Sequence, residues 1–207
     1  MVETALLLST GKPADFSFRR LRTINVSKFM ETIGLQGVRF SRMNGVPEKG
    51  ANKKFLTKSI LMNNNELKNF KHIDDLVEAV LEYPSQLGWI DLSFNRITEI
   101  DECILKFKSL KILYFHGNCI SDLDQVFKLR SLEQLRSVTF HGNPIANHPR
   151  YRSYVITVLS QIANLDFMPV VKNEKLHPAP REAVKKLKKK PKTNTSKSNN
   201  DGFSSDK

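Results

Sequence analysis

The sequence has little cysteine, a single tryptophan and no long apolar run. Its 207 residues include two cysteines, Cys103 and Cys119, which are too few for a disulfide scaffold or, by themselves, for a metal cluster. We interpret them as reduced cysteines that pack as small hydrophobic residues. No stretch approaches the roughly 18 to 20 apolar residues of a transmembrane helix. Residues 5–8 form a short apolar run without a preceding basic residue, which argues against a secretory signal.

Acidic residues are scarce outside the middle of the chain. The formal net charge is +12, of which residues 1–54 carry +6, residues 55–170 carry −1 and residues 171–207 carry +7. The nearly neutral middle segment is where we expect a packed core. The two basic arms are typical of solvated segments that contact acidic partners.

A repeated motif dominates the middle of the chain. It has apolar residues at positions 1, 4, 6 and 11 and asparagine at position 9. Segments 87–97, 110–120 and 135–145 match it at every fixed position, and segment 57–67 departs from it only at Thr57. The motif asparagines are 30, 23 and 25 residues apart, mostly in or near the range of leucine-rich repeats. They are Asn65, Asn95, Asn118 and Asn143.

The motif predicts an α/β leucine-rich-repeat solenoid of about four repeats plus a C-terminal cap strand. In a short strand alternate side chains face opposite sides, so the apolar positions turn into the core. A short parallel sheet then lines the concave face, and helices or turns form the convex face. Each asparagine amide can donate to and accept from backbone groups at the end of its strand, including those of the next repeat. The stack should therefore carry a ladder of asparagines.

The chain divides into four segments. Residues 1–54 form a basic N-terminal arm that we expect to be partly ordered and to cap the first repeat. Residues 55–148 hold the repeats. Residues 149–170 form a C-terminal cap with a helix from Pro149 and a final strand in which Leu165 and Phe167 repeat the inward spacing. Residues 171–207 form a basic tail that we expect to be disordered.

The C-terminal part resembles a known group of proteins. The resemblance rests on Asn143-Pro144-Ile145, Tyr151-Arg152 and Leu165-Asp166. These segments look like the short intracellular leucine-rich-repeat proteins with a dedicated C-terminal cap, a group that includes an axonemal dynein light chain, a spliceosomal protein and a phosphatase regulator. Residues 15–19, residues 89–95 and the two His-Gly-Asn triplets resemble one member more closely. The resemblance implies a non-enzymatic, cytoplasmic interaction protein and allows a ciliary association.

The outward strand positions are the predicted partner-binding surface. Neighbouring rows of a sheet lie about 4.8 Å apart, so Leu61, Trp89, Ile112 and Tyr114 should cluster as an exposed patch. Such a patch usually anchors a protein interface. Two alternatives stay open, because either a partner protein or the N-terminal segment of the same chain could cover it. The predicted surface consists of Leu61, Trp89, Asp91, Ile112, Tyr114, His116, Thr139 and His141.

The same surface offers little for catalysis or metal binding. His116 and His141 are predicted side by side, but no carboxylate or cysteine joins them in their column, and a metal site needs three or four ligands. Asp91 and Asp166 are two rows or more apart, and no serine follows a nucleophile-elbow pattern. We therefore predict no metal, no cofactor and no enzymatic activity.

The basic tail has several interpretations. It can act as a nuclear-import patch, contact nucleic-acid phosphates, dock on an acidic protein surface such as a microtubule, or only keep the chain soluble. No aromatic residue is interleaved with its lysines, so base stacking is not supported. The lysines concerned are Lys185, Lys186, Lys188, Lys189, Lys190 and Lys192.

These observations favour a protein-binding scaffold or adaptor. We expect it to bind a protein on the concave face, and the resemblance suggests a structural subunit of a ciliary or axonemal assembly with axonemal or microtubule-associated partners. The alternative is a nuclear RNA-associated protein that uses the tail for import or phosphate contacts. The expected location is the cytoplasm, with the cilium under the first hypothesis and the nucleus under the second. No membrane contact is predicted.

Overall fold

A computed structural model of the chain describes residues 11–27, 46–176 and 180–188. In these ranges the strands form one sheet, ordered as in the sequence, with parallel pairing from β1 to β6 and an antiparallel β6–β7 pair. The strands are β1 Ala14–Asp15, β2 Ser59–Leu61, β3 Trp89–Asp91, β4 Ile112–Tyr114, β5 Ser137–Thr139, β6 Asn164–Leu165 and β7 Met168–Pro169. The predicted solenoid with a parallel sheet is confirmed.

The register of the sheet follows the repeat motif. Ile60, Ile90, Leu113 and Val138 pair with one another across β2 to β5, and all four are fully buried. Each strand is too short to bury its apolar face alone, so the core becomes continuous only because the repeats stack. Fully buried phenylalanines from successive repeats extend this core, as the Phe115 and Phe140 rings stack with centroids 5.9 Å apart.

The sheet extends beyond the predicted strands at both ends. At the N-terminal end, β1 pairs with β2, and the amide of Phe16 donates to the carbonyl of Leu61 at 2.7 Å. At the C-terminal end, β6 and β7 form a hairpin whose two turn residues, Asp166 and Phe167, have φ of 53° and 63°. Two positive φ values match a two-residue hairpin turn. The expected inward position of Phe167 is therefore wrong, because the turn leaves this ring 49% exposed.

Short helices cover the convex side of the described repeats. Helix α1, Ile73–Val80, buries Ile73, Leu76 and Val77. It carries two aspartates in its first turn, where their negative charge interacts favourably with the helix dipole. Helix α2 spans Asp124–Lys128. The other convex segments are 3₁₀ turns at Pro84–Gln86, Glu102–Lys106, Leu129–Ser131 and Pro144–Asn147.

Three helices form the C-terminal cap, namely α3 Tyr151–Val158, α4 Lys172–Leu176 and α5 Arg181–Lys188. Helices α4 and α5 lie within residues 171–207, the segment that the sequence predicts to be a disordered tail. Arg152 on α3 bonds the carboxylate of Glu174, with Nε 2.5 Å from Oε1, and Arg150 bonds Glu182 at 2.7 Å. Ala183 on α5 is fully buried. Composition suggested a solvated tail, but these contacts to α3 hold its first part in place.

None of the helices in the described ranges is long and apolar enough to cross a membrane.

Candidate protein-interaction face

Each motif asparagine is buried at the end of its strand. The side-chain amide of Asn118 donates to the carbonyls of Leu92 and Phe115, each at 2.9 Å, and its Oδ1 accepts from the amide of Ile97 at 2.9 Å. Leu92 and Ile97 belong to the preceding repeat. Asn118 therefore satisfies three buried backbone groups that the bend leaves without partners.

The other three asparagines repeat this arrangement. Asn95 and Asn143 accept from an amide of the preceding repeat and donate to one of its carbonyls. Asn65 does the same with the N-terminal arm, donating to Phe16 and accepting from Arg19. The ladder thus joins each repeat to the one before it, whereas the motif predicted contacts at the bend of its own repeat and with the next repeat.

The register brings the predicted surface residues together in columns. Trp89 pairs with Ile112 and then Ser137, while Leu61 pairs with Asp91 and then Tyr114. The Trp89 and Tyr114 rings meet edge to face with centroids 6.0 Å apart. The expected aromatic cluster therefore exists.

The cluster is less open than expected. Ile112 is 1% exposed, Tyr114 is 7% exposed and Thr139 is fully buried, whereas Leu61 and Trp89 are half-buried. Rows of a sheet are close enough for large side chains to cover one another, and the ring of Phe167 also lies 5.3 Å from that of Tyr114. The prediction of a fully exposed patch is wrong at Ile112 and Tyr114.

Asp91 and Asp15 repeat one local structure on β3 and β1. Oδ1 of Asp91 accepts from the amide and the hydroxyl of Ser93 at 2.9 and 2.6 Å, and Oδ1 of Asp15 does the same with Ser17. Burial raises the pKa of Asp91, the Ser93 contacts lower it, and the charge of Asp15 raises it further. Because both carboxylates are tied to their own turns, they position backbone and do not form a convergent acid–base pair.

His116 and His141 stack at the strand ends. Their ring centroids lie 4.6 Å apart with an interplanar angle of 9°, and Nδ1 of His116 lies 2.9 Å from the Thr139 hydroxyl. Burial, followed by the neighbouring charge of His141, lowers the pKa of His116 to about 4. The described residues contain no group of three or more His, Cys, Asp or Glu side chains suited to holding a metal ion.

Asp166 closes the last repeat beneath this stack. Its Oδ1 accepts from the amides of Phe140 and His141 at 2.6 and 2.9 Å, and its Oδ2 accepts from the hydroxyl of Tyr151 at 2.7 Å. Burial, followed by the charge of Asp166, raises the pKa of Tyr151. Asp166 is therefore a structural cap of the solenoid.

A row of left-handed residues follows the strands. φ is 58° at Phe18, 53° at Asn64, 51° at Phe94, 66° at Gly117 and 70° at Gly142. These five residues occupy equivalent positions in the sheet register. Glycine adopts this conformation without a steric penalty, whereas an L residue with a large side chain costs roughly 1 to 2 kcal/mol.

Two of these positions nevertheless hold exposed phenylalanines. Phe18 is 63% exposed and Phe94 is 53% exposed. The ring centroid of Phe94 lies 5.0 Å from that of His116. The ring centroid of Phe167 lies 5.5 Å from that of His141, the other ring of the histidine stack. We call Phe18, Phe94 and Phe167 the strand-end aromatic rim.

This rim was not predicted, although the sequence contains a signal for one of its members. Phe94 precedes a motif asparagine at the position where the next two repeats have glycine. A phenylalanine there neither fits the turn best nor enters the core, which distinguishes it from the other motif residues. Nothing in the local pattern places Phe167 beside the histidines, because that contact depends on the hairpin turn.

The tail lysines lie away from the concave strands where they are described. Lys186 on α5 pairs with Asp124 at 2.5 Å and lies 5.4 Å from the Phe127 ring centre. Lys185 is on the same helix, and Lys188 is its last residue. Lys189, Lys190 and Lys192 lie outside the described residues.

Comparison with known proteins places the chain in a family. A family model described as leucine-rich repeat matches residues 79–197. Leucine-rich repeat-containing protein 51 of Rattus norvegicus is 39% identical over 182 residues, covering 87% of this chain and 88% of the relative. The chain belongs to the leucine-rich repeat-containing protein 51 family. This family assignment suggests a protein–protein interaction domain of a fold that typically serves as a non-enzymatic binding scaffold.

Two further similarities extend beyond the leucine-rich repeat-containing protein 51 family. The centrosomal protein of 72 kDa of Mus musculus is 36% identical over 109 residues, which cover 50% of this chain but 17% of that protein. A chain in the crystal structure of the Drosophila melanogaster SNF/U2A′ complex is 17% identical, with a TM-score of 0.57 and coverage of 90% of this chain and 91% of that one. The second similarity shows the shared fold alone.

Proposed function

We propose that this member of the leucine-rich repeat-containing protein 51 family is a non-enzymatic adaptor that binds a protein partner across its concave face and strand-end aromatic rim. The observation that carries the proposal is Phe94, an exposed phenylalanine in a left-handed backbone conformation. Glycine occupies the equivalent position in the next two repeats. A residue that costs the fold energy without entering the core points to a role outside folding.

The surroundings of Phe94 support an interface. Phe94, Phe167 and the stacked histidines adjoin Trp89 and Tyr114 through a continuous series of ring contacts. Clustered aromatic side chains are the usual anchors of protein interfaces, because they bury much area at a small loss of side-chain entropy. The half-buried ring of Trp89 would complete the inner part of the contact.

Paired variants test this proposal. The full-length protein and its Phe94→Ala/Phe167→Ala variant are used to capture proteins from ciliated-cell extract at rising salt, with quantification by mass spectrometry. Tyr83→Ala is the matched control, because Tyr83 is 54% exposed on the convex side. We expect the rim variant to lose at least one partner about tenfold, as anchor residues do, while the control keeps it. Equal capture by all three proteins would contradict the proposal.

We further propose a place in a ciliary or axonemal assembly, with an axonemal or microtubule-associated partner. Similarity of half of the chain to a centrosomal protein supports this location. Fluorescent tagging tests this location. The tagged protein is imaged in ciliated cells and in cells of the same line kept without cilia. Enrichment along cilia is the expected result. A nuclear signal that is the same in both states would instead favour the alternative of a nuclear RNA-associated protein.

A further inference from the structure

A basic row runs along the rim of the concave face where the strands begin. The row consists of Lys58, Gly88, Lys111 and Arg136. The backbone amide of each of the last three donates to the backbone carbonyl of the residue before it in the row, at 2.8 Å in each case. We call these four residues the strand-start row. It lies at the opposite end of the strands from the aromatic rim.

The cations of the row lack acidic partners in the described part of the chain. Lys58 and Lys111 are exposed, and neither they nor Arg136 takes part in an ion pair between described residues. The guanidinium of Arg136 bonds the carbonyl oxygens of Glu133 and Leu135 at 2.7 and 3.0 Å. Three positive side chains therefore line one edge of a repeat domain whose net charge is nearly zero.

Gly88 interrupts this row, and the fold does not require a glycine there. Its φ is not in the left-handed region, unlike that of Gly117. A Cβ atom at Gly88 would meet only the carbonyl oxygens of Lys58 and Gln86, at 3.8 and 3.9 Å, which is ordinary contact. The missing side chain thus leaves a gap between two lysines for which packing offers no reason.

The residue after the gap has an unmet hydrogen-bonding need. The indole Nε1 of Trp89 is buried and has no acceptor among the residues that the structure describes. A buried N–H without an acceptor is costly, and Trp89 directly follows Gly88 in the sequence. The row of cations favours an occupant that carries acceptor oxygens and negative charge.

We propose that the strand-start row binds an acidic polypeptide segment of the partner protein, with one carboxylate side chain seated in the gap at Gly88. The proposal rests on the proposed adaptor function and adds the chemistry of the partner. With rows about 4.8 Å apart, the four positions span about 14 Å, and four or five residues of an extended peptide, at about 3.3 Å each, cover that distance. The net charge of +12 on the whole chain also favours an acidic partner.

A charge placed in the gap tests this inference without removing any lysine. The probe is a fluorescein-labelled peptide of eight glutamates, titrated with the full-length protein and followed by fluorescence anisotropy. Gly88→Glu fills the gap with a carboxylate, and Gly88→Gln fills it with a neutral side chain of nearly the same shape. Asn147→Glu, at an exposed position in another part of the fold, matches the change in net charge.

We expect Gly88→Glu to weaken binding about tenfold at low salt, because the new carboxylate repels the probe at contact distance. Gly88→Gln should weaken binding less, by about threefold, because it blocks the gap without adding repulsion. Asn147→Glu should change the dissociation constant by less than about twofold, since surface charges away from the site are screened. If Gly88→Glu and Asn147→Glu weaken binding equally, the basic arms bind the probe and the inference fails. Tighter binding of an eight-nucleotide uridine RNA, with the same loss in Gly88→Glu, would assign the row to nucleic acid and also overturn it.

The test separates this inference from the proposed function. Phe94→Ala/Phe167→Ala should leave the affinity for the glutamate peptide unchanged, because the aromatic rim lies at the other end of the strands. If the rim variant loses its cellular partner while Gly88→Glu binds the peptide like the wild type, the adaptor function stands and the acidic-partner inference falls. If Gly88→Glu weakens the peptide while the rim variant keeps every partner, the proposed aromatic interface falls instead.

Discussion

The imidazole rings of His116 and His141 stack in parallel, 4.6 Å apart between centroids, at the ends of two adjacent strands. Phe94 and Phe167 border the pair, and Asp166 lies 3.4 Å from Nδ1 of His141. Two protonated imidazoles at this distance would repel each other, and burial also lowers the pKa of His116. The stack is therefore most compatible with a neutral His116, and this makes the fold sensitive to pH.

The first prediction concerns that pH dependence. Burial and His141 lower the pKa of His116 to about 4 in the folded chain, whereas an ordinary histidine titrates near 6.5. Between these values the unfolded chain binds a proton that the folded chain does not, so acidification favours unfolding. The His116 contribution is thus fully present above pH 6.5 and declines as the pH falls to 4.

Urea unfolding of the wild type and of His116→Gln between pH 4 and pH 8 measures this contribution. The other groups that titrate cancel in the difference between the two proteins. The wild type should lose stability relative to the variant on going from pH 6.5 to pH 4. Parallel curves through that window would show that His116 titrates normally in the folded state. The groups facing this histidine are Tyr114, Thr139, His141, Asp166, Phe94 and Phe167.

The second prediction concerns the asparagine ladder. Asn118→Ala removes the three 2.9 Å hydrogen bonds of this side chain and leaves buried backbone groups of two repeats without partners. We expect the free energy of unfolding to fall by about 3 kcal/mol. Asn69→Ala, at an exposed position, should change it by less than about 0.5 kcal/mol. Similar losses in both variants, measured by chemical denaturation, would show that the ladder is not a main source of stability.

The third prediction compares two glycines. At Gly117 φ is 66°, and a Cβ atom would come within 2.7 Å of the Phe94 ring. Gly117→Ala should therefore destabilise the protein by about 1 to 2 kcal/mol. Gly88→Ala, where a Cβ fits, should stabilise it by about 0.4 to 1 kcal/mol through the unfolded chain.

A double-mutant cycle separates the two sources of the Gly117 effect. In a Phe94→Ala background the ring is absent, so Gly117→Ala should destabilise the protein less, by the part of the effect that comes from the clash with the ring. The backbone part should remain, because the positive φ does not depend on Phe94. If the cost is the same in both backgrounds, the contact between the ring and Gly117 has no energetic effect.

The fourth prediction concerns the C-terminal helices. Removing residues 171–207 deletes Glu174, which pairs with α3, Glu182, which pairs with the N-cap residue of α3, and the buried Ala183. We expect a loss of about 2 kcal/mol, or about 4 to 8 °C in Tm for a chain of this size. Removing residues 189–207 leaves these contacts intact and should shift Tm by less than about 2 °C. Equal Tm values for both truncations, by differential scanning calorimetry, would mean that α4 and α5 add no stability.

Much of the fold was predictable because the fixed positions of the repeat motif are the positions that become buried. Residues equivalent to Leu113 and Asn118 recur in each copy of the motif, because each copy occupies the same environment in the stack. The sheet register, the inward side chains and the columns of outward residues follow from that repetition. The strand β1 was harder to foresee, because Ala14 and Asp15 carry no copy of the full motif and gain their pairing only from the exposed edge of β2.

The sequence by itself determined the solenoid, the asparagine positions and the pairing of Trp89 with Ile112, since all of these depend on periodicity along the chain. Tertiary structure alone decided that Tyr114 is nearly buried, that Phe167 turns back to the histidines, and that α4 and α5 pair with the C-terminal cap. The physical reason is that these features depend on contacts between residues far apart in sequence, through a hairpin turn or ion pairs with α3. No local pattern of apolar and polar residues encodes such contacts.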